Sequence, residues 1–326
     1  MESVRSLADV AAEVDDGLRA LPLPDSPSDL YEPVRYVLSG GGKRIRPAIV
    51  LLTADALGGA DARRRSLSAA LGVEAFHNFT LVHDDIMDRS PTRRGRPTVH
   101  EKWDTATAIL TGDLMMGLAN DLVVRSEGAN PEQMQRAFYT AVARLCEGQT
   151  LDMSFERRRD VTEEEYIAMI DGKTGALLEL SLEVGARISG ADDGMVETLR
   201  GAGRALGRAF QIQDDLLDLT ADAETWGKPI GGDLIEGKRT YLVVTALARA
   251  EPADRRWLDA TLSGGISEDL VPEVRERLRT LGVLALAADA VAHHTSLAER
   301  ALSSLPEAPP AEALRSLARQ LATRSL

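Results

Sequence analysis

The chain has 326 residues, 44% hydrophobic but only 4% aromatic, and a formal charge of −13 from 51 acidic and 38 basic side chains. That length carries a sizeable core, and that charge argues against a general basic surface for nucleic acid. The one cysteine, Cys146, excludes an intrachain disulfide and is expected as a small, buried, apolar residue.

In chain order, the N-terminal stretch MESVRSLADVAAEVDDGL carries acids and lacks the apolar core of a signal peptide. A Pro-rich loop follows at Leu21–Ser28, then a Gly-rich basic turn at Gly40–Pro47. Apolar residues at three- and four-residue spacing predict a helix over about 61–89. A basic loop at Arg89–Pro97 closes it. Further helices are predicted over about 104–126, 131–156, 163–189 and 192–221. A Gly-rich loop, Trp226–Gly237, precedes a helix over 236–250. A weaker series runs on, and Pro306–Pro310 sets off a last short helix. No stretch shows sustained alternation, and none approaches the roughly 20 apolar residues of a membrane span. The expectation is one all-α domain over residues 1–326, a bundle of long helices in the cytoplasm.

One acidic pentad occurs twice. Asp84-Asp85-Ile86-Met87-Asp88 and Asp214-Asp215-Leu216-Leu217-Asp218 each close an apolar helix. Positions i and i+4 share a helix face, so Asp84 sits over Asp88 and Asp214 over Asp218. Like charges there cost a few tenths of a kcal/mol, and more where they are buried. Magnesium explains the cost, because it takes a few carboxylate oxygens and completes its shell with water and phosphate. One such pentad is ordinarily a solvated helix end; two, each followed by a basic Gly-containing loop, argue for a metal site.

The loops supply the anion's partners. Gly42-Lys43-Arg44-Ile45-Arg46-Pro47 puts three cations within four residues. Arg93-Arg94-Gly95-Arg96-Pro97 follows the first pentad; Gly227-Lys228-Pro229 and Gly237-Lys238-Arg239-Thr240 follow the second. Lys173-Thr174 lies in IDGKTGALLEL. Its GKT lacks the glycine spacing and preceding strand of a P-loop, so that reading is set aside. Glycine admits close backbone approach and Arg grips phosphate bidentately. Acids that need magnesium and cations that need anions together imply two phosphorylated ligands.

These motifs resemble the trans-isoprenyl diphosphate synthase (polyprenyl synthetase) family, the relatives of farnesyl and geranylgeranyl diphosphate synthases. The likeness covers about residues 30–305: GGKRIRP, LVHDDIMD, RRGRPTVH, GQTLD, KTGALLE, FQIQDDLLD and GKPIGGDLIEGKRTYL. It implies the isoprenoid synthase fold around a central apolar cavity. It also implies head-to-tail condensation of isopentenyl diphosphate with dimethylallyl, geranyl or farnesyl diphosphate, three Mg2+ ions and a homodimer. By that resemblance Asp84 and Asp88 bind two ions and Asp214 the third, while Asp85, Asp215 and Asp218 support the ligand geometry; Asp218 is counted with the metal group. Arg93, Lys173, Thr174, Gln211, Lys228 and Lys238 contact the allylic diphosphate. Lys43, Arg46, His77 and Arg94 hold isopentenyl diphosphate. Gln149 and Asp152 order the site. The departing diphosphate accepts the final proton.

A His on an apolar helix face is ordinarily structural, but His77 lies about two turns before Asp84, which favours phosphate contact. His83 and His100 stay structural or undecided, and His293 and His294 read as surface residues. Phe79, roughly 7.5 Å along the helix from Asp84, and Phe76, about one turn deeper, are candidate floors for the growing chain or ordinary core aromatics. The resemblance ties an aromatic at Phe79 with Thr80 beside it to a C20 product, with C15 or longer as alternatives. A class I terpene cyclase lacks a use for GGKRIRP and RRGRP and needs a different second metal motif. A non-catalytic subunit usually loses a pentad.

Overall fold

The computed structural model describes residues 7–221, 230–262 and 264–323. Among them the secondary structure is helical apart from one two-strand hairpin, so the chain is all-α as expected. The fold divides into two compact units, Met1–Thr140 with Glu179–Arg200 and Ser304–Leu314, and Ala141–Leu178 with Gly201–Ser303 and Arg315–Leu326.

The first unit opens with two helices that periodicity did not single out, α1 (Leu7–Arg19) and α2 (Ser28–Leu38). Helix α3 runs over Ile45–Met87 and starts earlier than predicted, because Arg46 and Pro47 belong to its first turn, where proline's missing N–H is tolerated. It is broken at Gly59, whose φ of 69° and ψ of −171° only glycine adopts readily. The predicted start near residue 61 therefore marked the second of two helical segments. That segment packs on α5 (Thr105–Val124). The contact is close: a Cβ on Gly72 would meet the Ala119 carbonyl oxygen and Val123 Cγ2, each at 2.8 Å.

The 20 residues of helix α5 are long and apolar enough, by length and composition alone, to cross a membrane, a test that a packed core helix also passes. One face is spent on α3, while Ile109 and Leu110 on the same helix are 44% and 57% exposed.

In the second unit, α7 (Glu163–Ile170) starts at a full capping box between Thr162 and Glu165. The helix predicted over 163–189 is interrupted by a π-turn at Asp171–Gly175 before α8 (Ala176–Ile188). Helix α9 (Asp193–Thr220) matches its predicted span closely. The core gathers Ile170, Ile212, Leu242, Leu258, Val274 and Val283 from helices distant in sequence. Cys146, on α6 (Pro131–Phe155), is exposed and not buried as expected, since that side of the helix faces outward.

His294 is not a plain surface residue either. It is half-buried, and its Nδ1 is buried without a hydrogen-bond partner among the described residues. Burial, then the charges of Arg208 and His293, push its pKa down to about 4, against an opposing pull from Asp171. Above pH about 6.5 the imidazole is neutral folded or unfolded, so it adds no pH dependence there. Below that the unfolded chain takes up the proton first, so stability falls as pH drops from 6.5 towards 4. His294→Gln is expected to flatten the melting temperature over that window in thermal unfolding. Equal pH slopes in the two proteins would contradict the assignment.

Candidate active site

The first pentad ends α3, and its aspartates part ways. Successive helical residues are about 100° apart, so Asp85 cannot share the face of Asp84 and Asp88. Asp85 is 5% exposed, Asp84 partly exposed and Asp88 open. Arg93 Nε donates to Asp85 Oδ1 at 2.7 Å, and burial, offset by Arg93, holds the Asp85 carboxyl above its usual range. The second aspartate thus ties the pentad to the basic loop.

That loop is a hairpin, β1 (Thr92–Arg93) against β2 (Arg96–Pro97), with Thr92 opposite Pro97. Its two-residue turn places Arg94 and Gly95 at φ of 52° and 73°. Two left-handed residues in series is the type I′ pattern that matches strand twist. Glycine adopts it freely; arginine does so only at a cost, as functional residues often do. Tyr36 steadies the hairpin, donating from its hydroxyl to the Pro97 carbonyl at 2.8 Å, with the Arg96 guanidinium 3.8 Å from its ring centroid.

Arg94 reaches back and donates to the Gly41 carbonyl. Gly42 makes this possible: its φ is 143°, and a Cβ there would meet Arg94 Nη1 at 2.9 Å. Of the three cations in GGKRIRP, Arg44 turns inward. It donates to Glu74 at 2.6 Å and Asp15 at 2.8 Å, and is a structural ion pair. Arg46 instead meets His77, Nη1 to Nε2 at 3.2 Å, so the imidazole accepts there. Burial, then Arg46, Arg94, Arg93 and Arg44, push the His77 pKa well below its usual value, which keeps the ring neutral. Burial, and behind it Arg94, lower the Arg46 guanidinium, and its Nε is buried with no hydrogen-bond partner among the described residues. A cluster of guanidiniums with a buried, unanswered N–H has the chemistry that suits an anion.

The second pentad ends α9 with its middle aspartate again buried, but here Asp218 is buried too, at 9% exposure, where Asp88 is open. Asp215 is 3% exposed and accepts from Tyr166 Oη at 2.5 Å, Tyr241 N at 2.7 Å and Gln211 Nε2 at 3.1 Å. Burial outweighs these bonds and pushes its carboxyl up to about 7. Asp218 accepts from Asp233 N at 3.3 Å, and burial, then the Asp233 carboxylate, push it up to about 6. Lys238 Nζ lies 3.2 Å from Asp233 and 2.6 Å from Glu236. Lys228, expected on the allylic diphosphate, lies outside the described residues.

Thr174 donates to Gln211 Oε1 at 3.0 Å, which joins the π-turn to the second pentad's network. Lys173 is ion-paired with Asp152. Gln149 lies on the same helix as Asp152, one turn before it.

The donor set suits a hard divalent cation in a particular way. No three His, Cys, Asp or Glu side chains among the described residues form a ready-made cage. Two carboxylates at i and i+4, with the Asp218 carboxyl raised first by burial and then by Asp233, match an ion that takes one or two carboxylates and finds its remaining oxygens in water and phosphate.

Below the first pentad lies an aromatic stack. Phe79 is 8% exposed and stacks on fully buried Phe76, centroids 5.8 Å apart; Phe76 meets Phe138 at 4.9 Å. His83 packs edge-on against Phe79 at 4.8 Å, and its Nε2 lies 3.3 Å from the Ile109 carbonyl oxygen. Gly112 leaves the room for it, since a Cβ there would meet His83 Nε2 at 2.2 Å. The Thr80 hydroxyl donates to the His77 carbonyl at 2.8 Å.

Periodicity and motif spacing passed over Glu74, Tyr166, Asp233 and Tyr241. Asp233 and Tyr241 sat within a quoted motif; Tyr166, 49 residues before Asp215, gave no local signal.

The polyprenyl synthetase family model matches residues 27–278. A short chain isoprenyl diphosphate synthase of Methanothermobacter thermautotrophicus is 39% identical over 321 residues, 98% of this chain and 96% of that protein. A geranylfarnesyl diphosphate synthase of Natronomonas pharaonis is 39% identical over 316 residues, 92% of this chain and 91% of that protein. Among solved structures, geranylgeranyl pyrophosphate synthetase from Pyrococcus horikoshii is similar with a TM-score of 0.88 and 38% identity, over 97% of each chain.

Proposed function

Because this chain belongs to the polyprenyl synthetase family and is a prenyltransferase of isoprenoid biosynthesis, we propose that it extends allylic diphosphates with isopentenyl diphosphate to a C20 product, geranylgeranyl diphosphate. The observation that carries the product length is the ring of Phe79 over Phe76, with the small Thr80 beside it. The similar proteins include a geranylfarnesyl synthase, so length is a property of this chain's own residues and not of the family.

In this reading Asp84, Asp88 and Asp214 hold Mg2+, three ions in all, and Asp218 supports them. When bound, the ions neutralise charge on the departing diphosphate. Asp85 and Asp215 act from behind as buried anchors. Arg93, Lys173, Thr174, Gln211, Lys228 and Lys238 bind the allylic diphosphate, with Gln149 and Asp152 ordering Lys173's surroundings. Lys43, Arg46, Arg94 and the neutral His77 hold isopentenyl diphosphate. Support for that assignment comes from the buried Arg46 Nε and the depressed His77.

Fixed cations aimed at the leaving group stabilise charge as the carbon–oxygen bond ionises. The allylic cation then alkylates the isopentenyl double bond, and the freed diphosphate takes the proton. Apolar walls, among them Phe79 and Phe76, keep water from quenching the cation.

The proposal includes a cytoplasmic homodimer. The apolar residues that α5 leaves uncovered, Ile109 and Leu110, with Tyr139 at 67% exposure, are the surface a second copy would cover. Light scattering after size exclusion reads the mass directly.

The test is incubation with isopentenyl diphosphate, Mg2+ and each of dimethylallyl, geranyl and farnesyl diphosphate. Geranylgeranyl diphosphate is the expected main product. Absence of any condensation product overturns the reading; cyclised hydrocarbon, or activity only with a second chain, replaces it with the cyclase or the subunit alternative.

A further inference from the structure

The π-turn at Asp171–Gly175 needs an explanation. The apolar periodicity runs straight through it, yet five residues leave the i→i+4 ladder for i→i+5. Such a turn sits where neighbours force it.

Two glycines press on it from separate helices. A Cβ on Gly148 of α6 would meet Lys173 N at 2.3 Å, and one on Gly207 of α9 would meet Gly175 Cα at 2.6 Å. Within the turn, a Cβ on Gly172 would meet the Arg144 carbonyl oxygen at 2.4 Å. Backbone therefore packs on backbone from both sides, leaving no room for side chains.

Shape alone does not fix the phase of the turn. Its first residue is gripped separately. Arg208 donates to Asp171 through Nε and Nη2, 2.7 Å to each carboxylate oxygen, and Arg144 Nη2 donates to the Asp171 carbonyl at 3.0 Å. The pair is mostly buried, at 27% and 17% side-chain exposure. A bidentate Arg–carboxylate pair fixes orientation as well as distance.

We propose that Asp171 and Arg208 are positioning residues whose clasp sets the phase of the π-turn and so aims Lys173 and Thr174 at the allylic diphosphate. One residue of helical phase is about 100°, so a turn released into the α register swings both side chains off their target. The clasp acts on allylic substrate alone, because Lys43, Arg46, His77 and Arg94 lie on other elements. It rests on the proposed contact of Lys173 and Thr174 with that substrate.

The experiment is steady-state kinetics on Arg208→Ala, Arg208→Lys, Asp171→Asn and Lys173→Ala, with melting temperature measured on each. Misaimed binding groups cost about 10- to 100-fold. Arg208→Ala and Asp171→Asn are expected to raise KM for the allylic diphosphate about 10-fold or more, and to leave KM for isopentenyl diphosphate within about 2-fold. Arg208→Lys, which keeps charge but not the two-pronged grip, is expected to fall between. A general folding defect would instead lower active enzyme without separating the two KM values; that outcome overturns the positioning role. So does an unchanged allylic KM in both clasp variants while Lys173→Ala raises it. An unchanged allylic KM in Lys173→Ala itself removes the substrate contact, and the clasp's role with it.

Discussion

Asp84→Ala and Asp214→Ala are each expected to lower kcat by about 10²- to 10³-fold or more while the helices stay intact. The reaction concentrates negative charge on a leaving diphosphate, and under the proposed assignment each carboxylate supplies an oxygen to the cations that answer it. Neither residue is among the fully buried ones, and removing one member of an i, i+4 like-charge pair eases the helix by a few tenths of a kcal/mol. Fold and turnover should therefore separate. Asp215→Ala is the contrast. It strips the acceptor from Tyr166 Oη and from Tyr241 N, both buried with it, and each orphaned group costs about 1–3 kcal/mol. That variant should lose melting temperature as well as activity. Circular dichroism and turnover measured on all three decide it. Near-normal kcat in Asp84→Ala or Asp214→Ala would refute the metal assignment.

Phe79→Ala is expected to lengthen the main product by at least one C5 unit. The ring of Phe79 is the first of three aromatic layers, ahead of Phe76 and Phe138, and it keeps 8% exposure where Phe76 has none. Cutting it to a methyl opens space that the neighbouring rings cannot fill, since packed interiors relax only partly. Phe76 is a poorer first choice. It is fully buried between two rings, and a Phe→Ala change there costs about 3–5 kcal/mol. Chromatography of the dephosphorylated products reads the outcome. An unchanged spectrum from a folded Phe79→Ala protein would put the floor elsewhere.

Much of this site was legible from the residues alone, for a local reason. The i, i+4 aspartates, the GGKRIRP and RRGRP cations and the helices that carry them depend on neighbours within a turn or two, and spacing records that directly. The helical class followed in the same way, and so did the spans of α5, α6 and α9. Spacing did not show which charges point inward. Arg44 and Arg46 look alike in the chain, yet one is locked to Glu74, 30 residues on, and the other faces His77, 31 residues on. Asp85 and Asp84 are adjacent, and only packing tells the buried one from its partly exposed neighbour. The π-turn interrupts a periodic run because Gly148 and Gly207 bring two other helices against it, and because Arg208 holds Asp171 from 37 residues away. Cys146 is open and His294 half-buried for the same reason. Helical period says which residues share a face; burial and charge partners come from chain segments tens of residues distant, and these exist only once the helices have packed.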